Sequence, residues 1–316
     1  MSGRIDEFLE IQNQKNRVAL SVFNRLSALG YGDDFLDVYQ DSTVIEQIIL
    51  ELHPTSIRSI TTICSLVSAY AKFIKNNNAY QTIQNIDRNL LWEKAKPFAA
   101  QKYLSHELYL NVIHDIGMFE ETNALYYQTL FRVIYEGVYC EDMSVIANLR
   151  ASDIDGNIVE LHTDDGYSYK IALPEDLIED LKELAASNEW ERKNRYGIFK
   201  MKVSGRYPDS CFKIENRKDD SDTTYRFGYY NKLRKIAKEY LEYNISPLQL
   251  FISGIMYHIR LELDKKNISI EDAFAEENRN KTVMNIITKE LSRCEYDIPV
   301  KALREQVVGY LEVFTL

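Results

Sequence analysis

Apolar residues recur every three or four positions along much of this chain, and the clearest stripe follows Pro54-Thr55. The stripe consists of Ile57, Ile60, Cys64, Val67, Ala71 and Ile74. This spacing places the apolar side chains on one face of a helix, so it predicts an amphipathic α-helix that packs against a core. Thr55 or Ser56 can cap the start of this helix, and Asn76-Asn77-Asn78 can end it.

Helical patterns also cover most of the remaining chain. They predict helices over Ile5–Leu29, Phe35–Leu52, Ile83–Leu91, Thr122–Tyr135, Ser144–Leu149, Leu177–Ala186, Tyr229–Tyr243, Leu248–Leu263, Ile270–Phe274, Lys281–Leu291 and Val300–Val313. A further helix begins after Ser105, whose side chain can serve as its N-cap. The first stretch ends at Gly30-Tyr31-Gly32, because glycine is a frequent residue at helix ends.

Strand patterns are confined to the middle of the chain. Asn157–His162 and Tyr167–Leu173 alternate apolar and polar residues, and Asp164-Asp165-Gly166 lies between them. Because Asp-Gly favours a tight turn, these segments predict a β-hairpin. Ile198–Val203 and Cys211–Ile214 can add short strands. The pattern therefore predicts a mainly α protein with a small antiparallel β-sheet.

A domain boundary is expected near residue 100. The segment Lys94–Lys102 carries three lysines and Pro97, and proline breaks helices. The length of 316 residues also favours two domains. We therefore expect a helical domain over residues 1–100 and a second domain over 101–316.

Charge is unevenly distributed along the chain. The net charge is −10, yet Glu191–Tyr240 holds 14 Lys/Arg against 7 Asp/Glu, a net of +7 that leaves −17 for the remainder. A basic region within an acidic protein is typical of a DNA reader with a defined contact face and weak non-specific adhesion. The alternative is a set of solvated loop charges without a partner.

Other classes of site find little support. The four cysteines are widely spaced, and the five histidines share no metal-binding spacing, so we expect free thiols, no metal and no cofactor. No apolar stretch approaches the ~20 residues of a membrane span, and the N-terminus lacks an apolar signal core. These features predict a cytoplasmic protein that does not engage a membrane.

One motif resembles the signature of the tyrosine recombinase (phage integrase) family, Pro-His-x-Leu-Arg-His-Thr. It is Pro247-Leu248-Gln249-Leu250-Phe251-Ile252-Ser253. Tyr135–Tyr139 resembles the family's Tyr-Thr-Gly-Leu-Arg element, Leu149–Ile154 the segment that follows it, and Ile171–Pro174 the end of the family's hairpin. The resemblance implies a two-domain architecture, with a helical core-binding domain followed by a catalytic-like domain.

At the family's catalytic positions, however, the residue types differ. The matched positions are Tyr139 and Phe251 for the two arginines, Asp164 or Asp165 for the hairpin lysine, Leu248 for the histidine, Glu276 for the late histidine element and Asn285 for the nucleophile. These side chains supply no cation to a phosphate. The resemblance therefore implies a protein that binds duplex DNA without cleaving it.

The length, the helical start and the altered catalytic positions also resemble the integrase-like master repressors of the lytic cycle in SPβ-type phages. That resemblance implies a lysogeny repressor that binds operator DNA in the cytoplasm of a bacterial host cell. Two alternatives stay open. One is a divergent recombinase with a displaced nucleophile at Tyr257, Tyr296 or Tyr310; the other is a protein-interaction module that modulates a recombinase.

The segment Thr223–Lys238 is the expected DNA-contact helix, because the family presents the corresponding helix to the major groove. Leu233, Ile236, Ala237 and Tyr240 can form its buried stripe, with Thr223 and Thr224 capping its start. The expected contacts on this segment are Thr224, Arg226, Asn231, Lys232, Arg234 and Lys235. The alternative is an amphipathic surface helix with solvated lysines.

Further DNA contacts are expected outside this helix. They are Lys200, Lys202 and Arg206 on a strand and turn, and Arg58, Lys72 and Lys75 on the polar side of the long N-terminal helix. The two domains could then close around a duplex as a clamp. Self-association through the segment from Val300 to Leu316, or binding of a protein antagonist, stays open.

Overall fold

The protein is described by a computed structural model that covers residues 3–11, 17–100, 103–120, 122–215, 222–241 and 245–269. The chain divides into two compact units, Met1–Gln101 and a second unit from Lys102 onward. The described part is mainly helical with small antiparallel sheets, as the sequence predicts. The helices expected beyond residue 269 lie outside the described residues.

All regular secondary structure in the described residues of the first unit is helical. They are α1 (Arg4–Ile11), α2 (Arg17–Ala28), α3 (Phe35–Val38), α4 (Ser42–Glu51), α5 (Ile57–Phe73), α6 (Asn77–Gln84) and α7 (Arg88–Ala100). Tyr70 of α5 is fully buried and contacts the rings of Phe8, Phe23 and Phe35 at centroid distances between 5.3 and 5.8 Å. This aromatic cluster joins α1, α2, α3 and α5 into one core.

The long helix α5 begins where the sequence predicts. Ser56 accepts a hydrogen bond from the Ser59 N–H (3.1 Å), and the Ser59 hydroxyl accepts one from the Ser56 N–H (3.0 Å). This reciprocal capping satisfies two backbone donors at the start of the helix. The asparagine run does not merely end α5, since Asn76 caps α6 by accepting from the Ala79 N–H (3.0 Å).

Three predictions for this unit are wrong in detail. The helix expected over Phe35–Leu52 is two helices, because the Asp41 carboxylate accepts from the Thr43 N–H (2.8 Å) and starts α4. The helix expected over Ile83–Leu91 spans the break between α6 and α7. Pro97 lies inside α7 and does not end it, where buried side chains on either side of the proline hold the helix in place.

The second unit combines helices with two three-stranded antiparallel sheets. The helices in its described residues are α8 (His106–Phe119), α9 (Ala124–Tyr135), α10 (Ser144–Asn148), α11 (Glu175–Ala186), α12 (Asp222–Tyr240) and α13 (Pro247–Lys265). Its strands are β1 (Ile154–Asp155), β2 (Ile158–His162), β3 (Ser168–Ala172), β4 (Glu189–Asn194), β5 (Gly197–Ser204) and β6 (Ile214–Glu215). The strand order is β1-β2-β3 in one sheet and β4-β5-β6 in the other.

The predicted hairpin is confirmed as β2 and β3. Val159 pairs with Ile171 and Leu161 with Tyr169, and these side chains form the buried face. Gly166 adopts φ 86° in the turn, a conformation that L side chains rarely take. Strand β4 was not predicted from the sequence. Nearly all its side chains are exposed, so it shows no alternation of apolar and polar residues.

Helix α9 forms the centre of the second unit and packs against α8, α11 and α13. The crossing with α13 is unusually close at Gly254, where an added Cβ would lie 1.7 Å from the Tyr135 carbonyl oxygen. Only glycine permits this approach of two backbones. The contact brings the start of α13 next to the chain that leaves α9.

Candidate nucleic-acid interface

Two motifs that are far apart in sequence meet in the second unit. Tyr139, just after α9, and Phe251, in the first half of α13, have ring centroids 5.1 Å apart. Tyr139 is 3% exposed and Phe251 is 0% exposed. The residues matched to the family's two arginines therefore lie side by side, as an active site would require, but they do so as a buried aromatic pair.

Hydrogen bonds fix the first turns of α13, which carry Phe251. Ser246 and Gln249 cap its start reciprocally, and Pro247 occupies its first position. The Ser253 hydroxyl accepts from the Leu104 N–H (3.0 Å) and donates to the Gln249 carbonyl (2.7 Å). The small hydroxyl residue of the motif thus ties α13 to the chain that leads into α8.

Apolar residues of the motif and of the helical turn after it lie in the core. Phe251, Ile252, Ile255 and Met256 are all buried, whereas Leu248 is half-buried. Burial of these side chains stabilises the domain through the hydrophobic effect.

The hairpin position matched to the family's lysine carries an ion pair. The Arg206 guanidinium contacts both Asp164 carboxylate oxygens, with Nη2 3.0 Å from Oδ2, and donates to Asn148 Oδ1 (2.7 Å). The hydrogen bond from Arg206 holds the pKa of Asp164 below its usual range. Neighbouring Asp165 is exposed and accepts from the Thr163 hydroxyl.

Tyr257, one candidate for a displaced nucleophile, packs against a histidine. Its ring stacks on His106 at a centroid distance of 3.6 Å, and His106 Nδ1 lies 3.3 Å from the Tyr135 hydroxyl. Burial, together with the charge of Glu136, raises the pKa of Tyr257. These surroundings disfavour the phenolate. Glu276, Asn285, Tyr296 and Tyr310 lie outside the described residues.

The expected DNA-contact helix exists and is longer than predicted. Tyr229, Leu233, Ile236 and Ala237 form its buried stripe, whereas Tyr240 is half-buried. Because α12 begins at Asp222, Thr223 and Thr224 lie inside the helix and not at its N-cap. The side chains of Thr224 and Arg226 lie outside the described residues.

Two lysines of α12 face the protein. Lys232 Nζ lies 3.3 Å from the Trp190 ring centroid and 4.7 Å from that of Tyr126. Lys235 Nζ pairs with the Glu120 carboxylate at 2.7 Å and lies 4.4 Å from the Tyr127 centroid. The sequence predicts Lys232 and Lys235 as DNA contacts that lie outside the buried stripe. It could not foresee that β4 and α9 place aromatic rings beside them.

Other residues of α12 do face solvent. Asn231, Arg234 and Lys238 are exposed. They combine an amide, a guanidinium and an ammonium along one helix, and these groups can bind base edges and phosphates.

Three further lysines of the second unit differ in their surroundings. Lys200 pairs with Glu189 at 3.2 Å, and Lys202 is exposed. Lys213 is buried, and its Nζ donates to the carbonyls of Ala185 (2.6 Å) and Ser187 (2.7 Å). Lys213 therefore stabilises the C-terminal end of α11 and contributes nothing to a contact surface.

The first unit presents its own cations on and beside α5. Arg58 and Lys75 are exposed, and Lys75 has a positive φ of 59°. Lys72 Nζ lies 4.4 Å from the Tyr80 ring centroid. Their geometry suits phosphate contacts, because all three are exposed at the surface.

Within the ranges that the structure covers, no cluster of His, Cys, Asp or Glu side chains is arranged to hold a metal ion. The same ranges contain no helix that is long and apolar enough to cross a membrane.

Comparison with known proteins finds a similarity to one family within the second unit. A search of curated proteins gives no match to this chain. Residues 121–275 match the family model described as MrpR, C-terminal catalytic domain. This range includes the aromatic pair, both sheets, α12 and α13. Residues 121–275 are thus similar to a tyrosine-recombinase-like catalytic domain.

Proposed function

We propose that this protein is a sequence-specific DNA-binding repressor, built on a recombinase-like domain that no longer carries out phosphoryl transfer. The observation that carries the proposal is the buried contact between Tyr139 and Phe251. These residues occupy the positions where the family places two arginines. The fold brings the positions together, but neither side chain can neutralise a phosphate.

The chemistry of strand cleavage explains why this substitution matters. Phosphoryl transfer to a tyrosine needs cations that neutralise charge on the transferring group. A phenyl ring carries no charge and donates no hydrogen bond, and a phenol cannot replace a bidentate guanidinium. At the hairpin, both candidate positions are acidic, Asp164 with Arg206 as its partner and Asp165 beside it. Cleavage is therefore absent, while the surface that holds a duplex is retained.

The exposed side of α12 is the part that we assign to sequence reading. Asn231 and Arg234 are of the types that bind adenine and guanine edges in pairs of hydrogen bonds, and Lys238 suits a phosphate. We assign Lys232 and Lys235 to positioning instead, because aromatic rings and Glu120 engage them. The resemblance to integrase-like phage repressors supports a role in maintaining lysogeny by binding operator sites.

Mapping of the protected sites on the source genome tests the proposal. We expect a small set of defined duplex sites, binding that weakens steeply with salt, and no covalent adduct on a nicked suicide substrate. A covalent adduct through a tyrosine would establish the recombinase alternative. Equal, feeble binding to all duplexes would establish the interaction-module alternative.

Variants of α12 test the assigned side of the helix. Asn231→Ala should relax discrimination at one base pair by about 1–3 kcal/mol, measured by competition between the mapped site and its single-base variants. Lys238→Ala should weaken binding uniformly across sequences and reduce the salt slope by about 1.

Lys232→Met is the matched comparison, because it keeps an unbranched chain over the same rings. It should lower stability by about 1 kcal/mol through loss of the cation–π contacts, with the preferred sequence unchanged. A changed preference in Lys232→Met, together with normal discrimination in Asn231→Ala, would contradict the assignment.

A further inference from the structure

Strands β4 and β5 form a hairpin whose outer half is fully exposed. Arg195 and Tyr196 connect the strands, and Gly197 adopts φ 126° at the start of β5. Every residue from Glu191 to Lys200 is exposed. The outer half also presents large apolar side chains, namely Tyr196 (81% exposed), Ile198 (53%) and Phe199 (41%).

Charge divides this hairpin into two halves. Near the base, Glu189 is the cross-strand partner of Lys202, and Glu191 that of Lys200, so acids and lysines offset one another. The outer half, Arg192–Phe199, holds three cations and no acid. The Arg195 guanidinium lies 4.6 Å from the Tyr196 ring centroid. A projecting tip with this charge and an exposed ring complements a polyanion.

The base of the hairpin is held firmly to the helices. Asn123, next to α9, donates from Nδ2 to the Glu191 carbonyl (2.6 Å) and accepts from the Glu191 N–H (3.0 Å). Trp190 packs edge-on against Tyr126 at a centroid distance of 4.7 Å. Lys232 Nζ of α12 also lies over the Trp190 ring, 3.3 Å from its centroid. The hairpin and α12 are therefore joined through Trp190, so their relative position is set before any ligand binds.

We propose that the tip of this hairpin is a second contact element for duplex DNA, which adds phosphate contacts to those of α12. The inference rests on the proposed function. A two-stranded ribbon fits the major groove, where Lys193 and Arg195 can reach phosphates at its edges. These contacts raise affinity for any sequence. The mapped specificity then comes from α12.

The test combines Lys193→Ala with Arg195→Ala and measures affinity against salt on two probes, a mapped site and a mixed-sequence duplex. Affinity should fall roughly tenfold on both probes, with the salt slope reduced by about 1–2, because one or two phosphates are no longer neutralised. Lys182→Ala with Lys266→Ala is the matched control. It removes the same net charge from exposed positions on α11 and after α13, and its salt slope should stay unchanged.

Tyr196→Ser separates ring contact from charge. It should weaken binding without changing the salt slope, because the ring carries no charge. Tip variants that bind both probes with wild-type affinity and slope would overturn the inference and leave the proposed function standing. A wild-type protein that prefers no sequence would instead overturn the proposed function. The mixed-sequence probe would still test the hairpin, because it needs no operator.

Discussion

Phe251 is the residue that the sequence comparison of motifs matches to one of the family's arginines, a match that underlies the proposed function. Its ring is fully buried against Tyr139, so its contribution is hydrophobic packing. Phe251→Ala should reduce the free energy of unfolding by about 3–5 kcal/mol, because removal of the ring leaves a cavity. Chemical denaturation measures this change.

Phe199→Ala is the matched control for the same chemical change at an exposed site. It should alter the free energy of unfolding by no more than about 0.5 kcal/mol. An equally small effect of Phe251→Ala would show that the ring is not packed as the structure places it.

Asp164 makes a pH-dependent contribution to stability. Its pKa is depressed by the hydrogen bond from Arg206, so its stabilising effect is fully present above the pKa of an unfolded-state aspartate. The effect is lost as the pH falls through the lower folded-state value. Asp164→Asn should therefore lower stability at neutral pH, and its stability curve should approach the wild-type curve below about pH 4.

Unfolding curves over a pH series measure this convergence. Asp155→Asn, at an exposed site on β1, serves as the control and should run parallel to the wild-type protein. A constant difference between Asp164→Asn and wild type across the acid range would contradict the ion-pair account.

At the scale of elements, the crossing of α9 and α13 decides whether the two motifs meet. Gly254→Ala should destabilise the second unit by at least about 1–3 kcal/mol, because the added Cβ would overlap the Tyr135 carbonyl and force the helices apart. Thermal or chemical unfolding measures the destabilisation, and altered near-ultraviolet circular dichroism should report the disturbed aromatic packing.

Gly117→Ala in α8 is the matched glycine replacement. Its added Cβ would meet the end of the Gln128 side chain, which must shift and weaken its hydrogen bond to the Ile113 carbonyl (2.7 Å). This variant should change stability by no more than about 1 kcal/mol, since the helix propensity of alanine offsets the weakened hydrogen bond. Equal destabilisation by both variants would argue against a special role of Gly254.

Elements also show where pattern analysis succeeds and where it fails. Helix α5 and the hairpin of β2 and β3 were predicted because each buries one face, which leaves a clear period in the sequence. Strand β4 was missed because its burial is almost nil. The helix expected over Phe35–Leu52 was interrupted because the local hydrogen bond of Asp41 outweighed a continuous apolar pattern.

At the scale of the whole molecule, the cationic surface is smaller than the count of basic residues indicates. Lys213 is buried, and Arg206, Lys232 and Lys235 have partners within the protein. Under the proposed function, sequence-specific contacts are therefore concentrated in few residues, and the acidic remainder of the chain limits non-specific adhesion.

The expectation that both units contact one duplex can be tested by removing cations from the first unit. Arg58→Gln with Lys75→Asn, in the first unit, should reduce the salt slope by about 0.9 for each phosphate that is no longer neutralised. Asparagine tolerates the positive φ at position 75, so the fold should be kept. Affinity titrations over a salt series measure the slope, and the preferred sequence should not change.

Combination with Lys238→Ala of the second unit supplies the control. If both units contact the same duplex at separate phosphates, the two reductions in slope should add. An unchanged slope for the first-unit variant would show that this unit does not contact DNA through α5.

The sequence by itself determined the helical character, the hairpin and the motifs that resemble the recombinase family, because periodicity and motif spacing can be read along the chain. Only the tertiary structure decided which basic side chains face solvent and which contact other residues of the protein. Glu120 lies 115 residues from Lys235, and Asp164 lies 42 residues from Arg206. Such partners are brought together by packing alone, and no spacing along the chain indicates them.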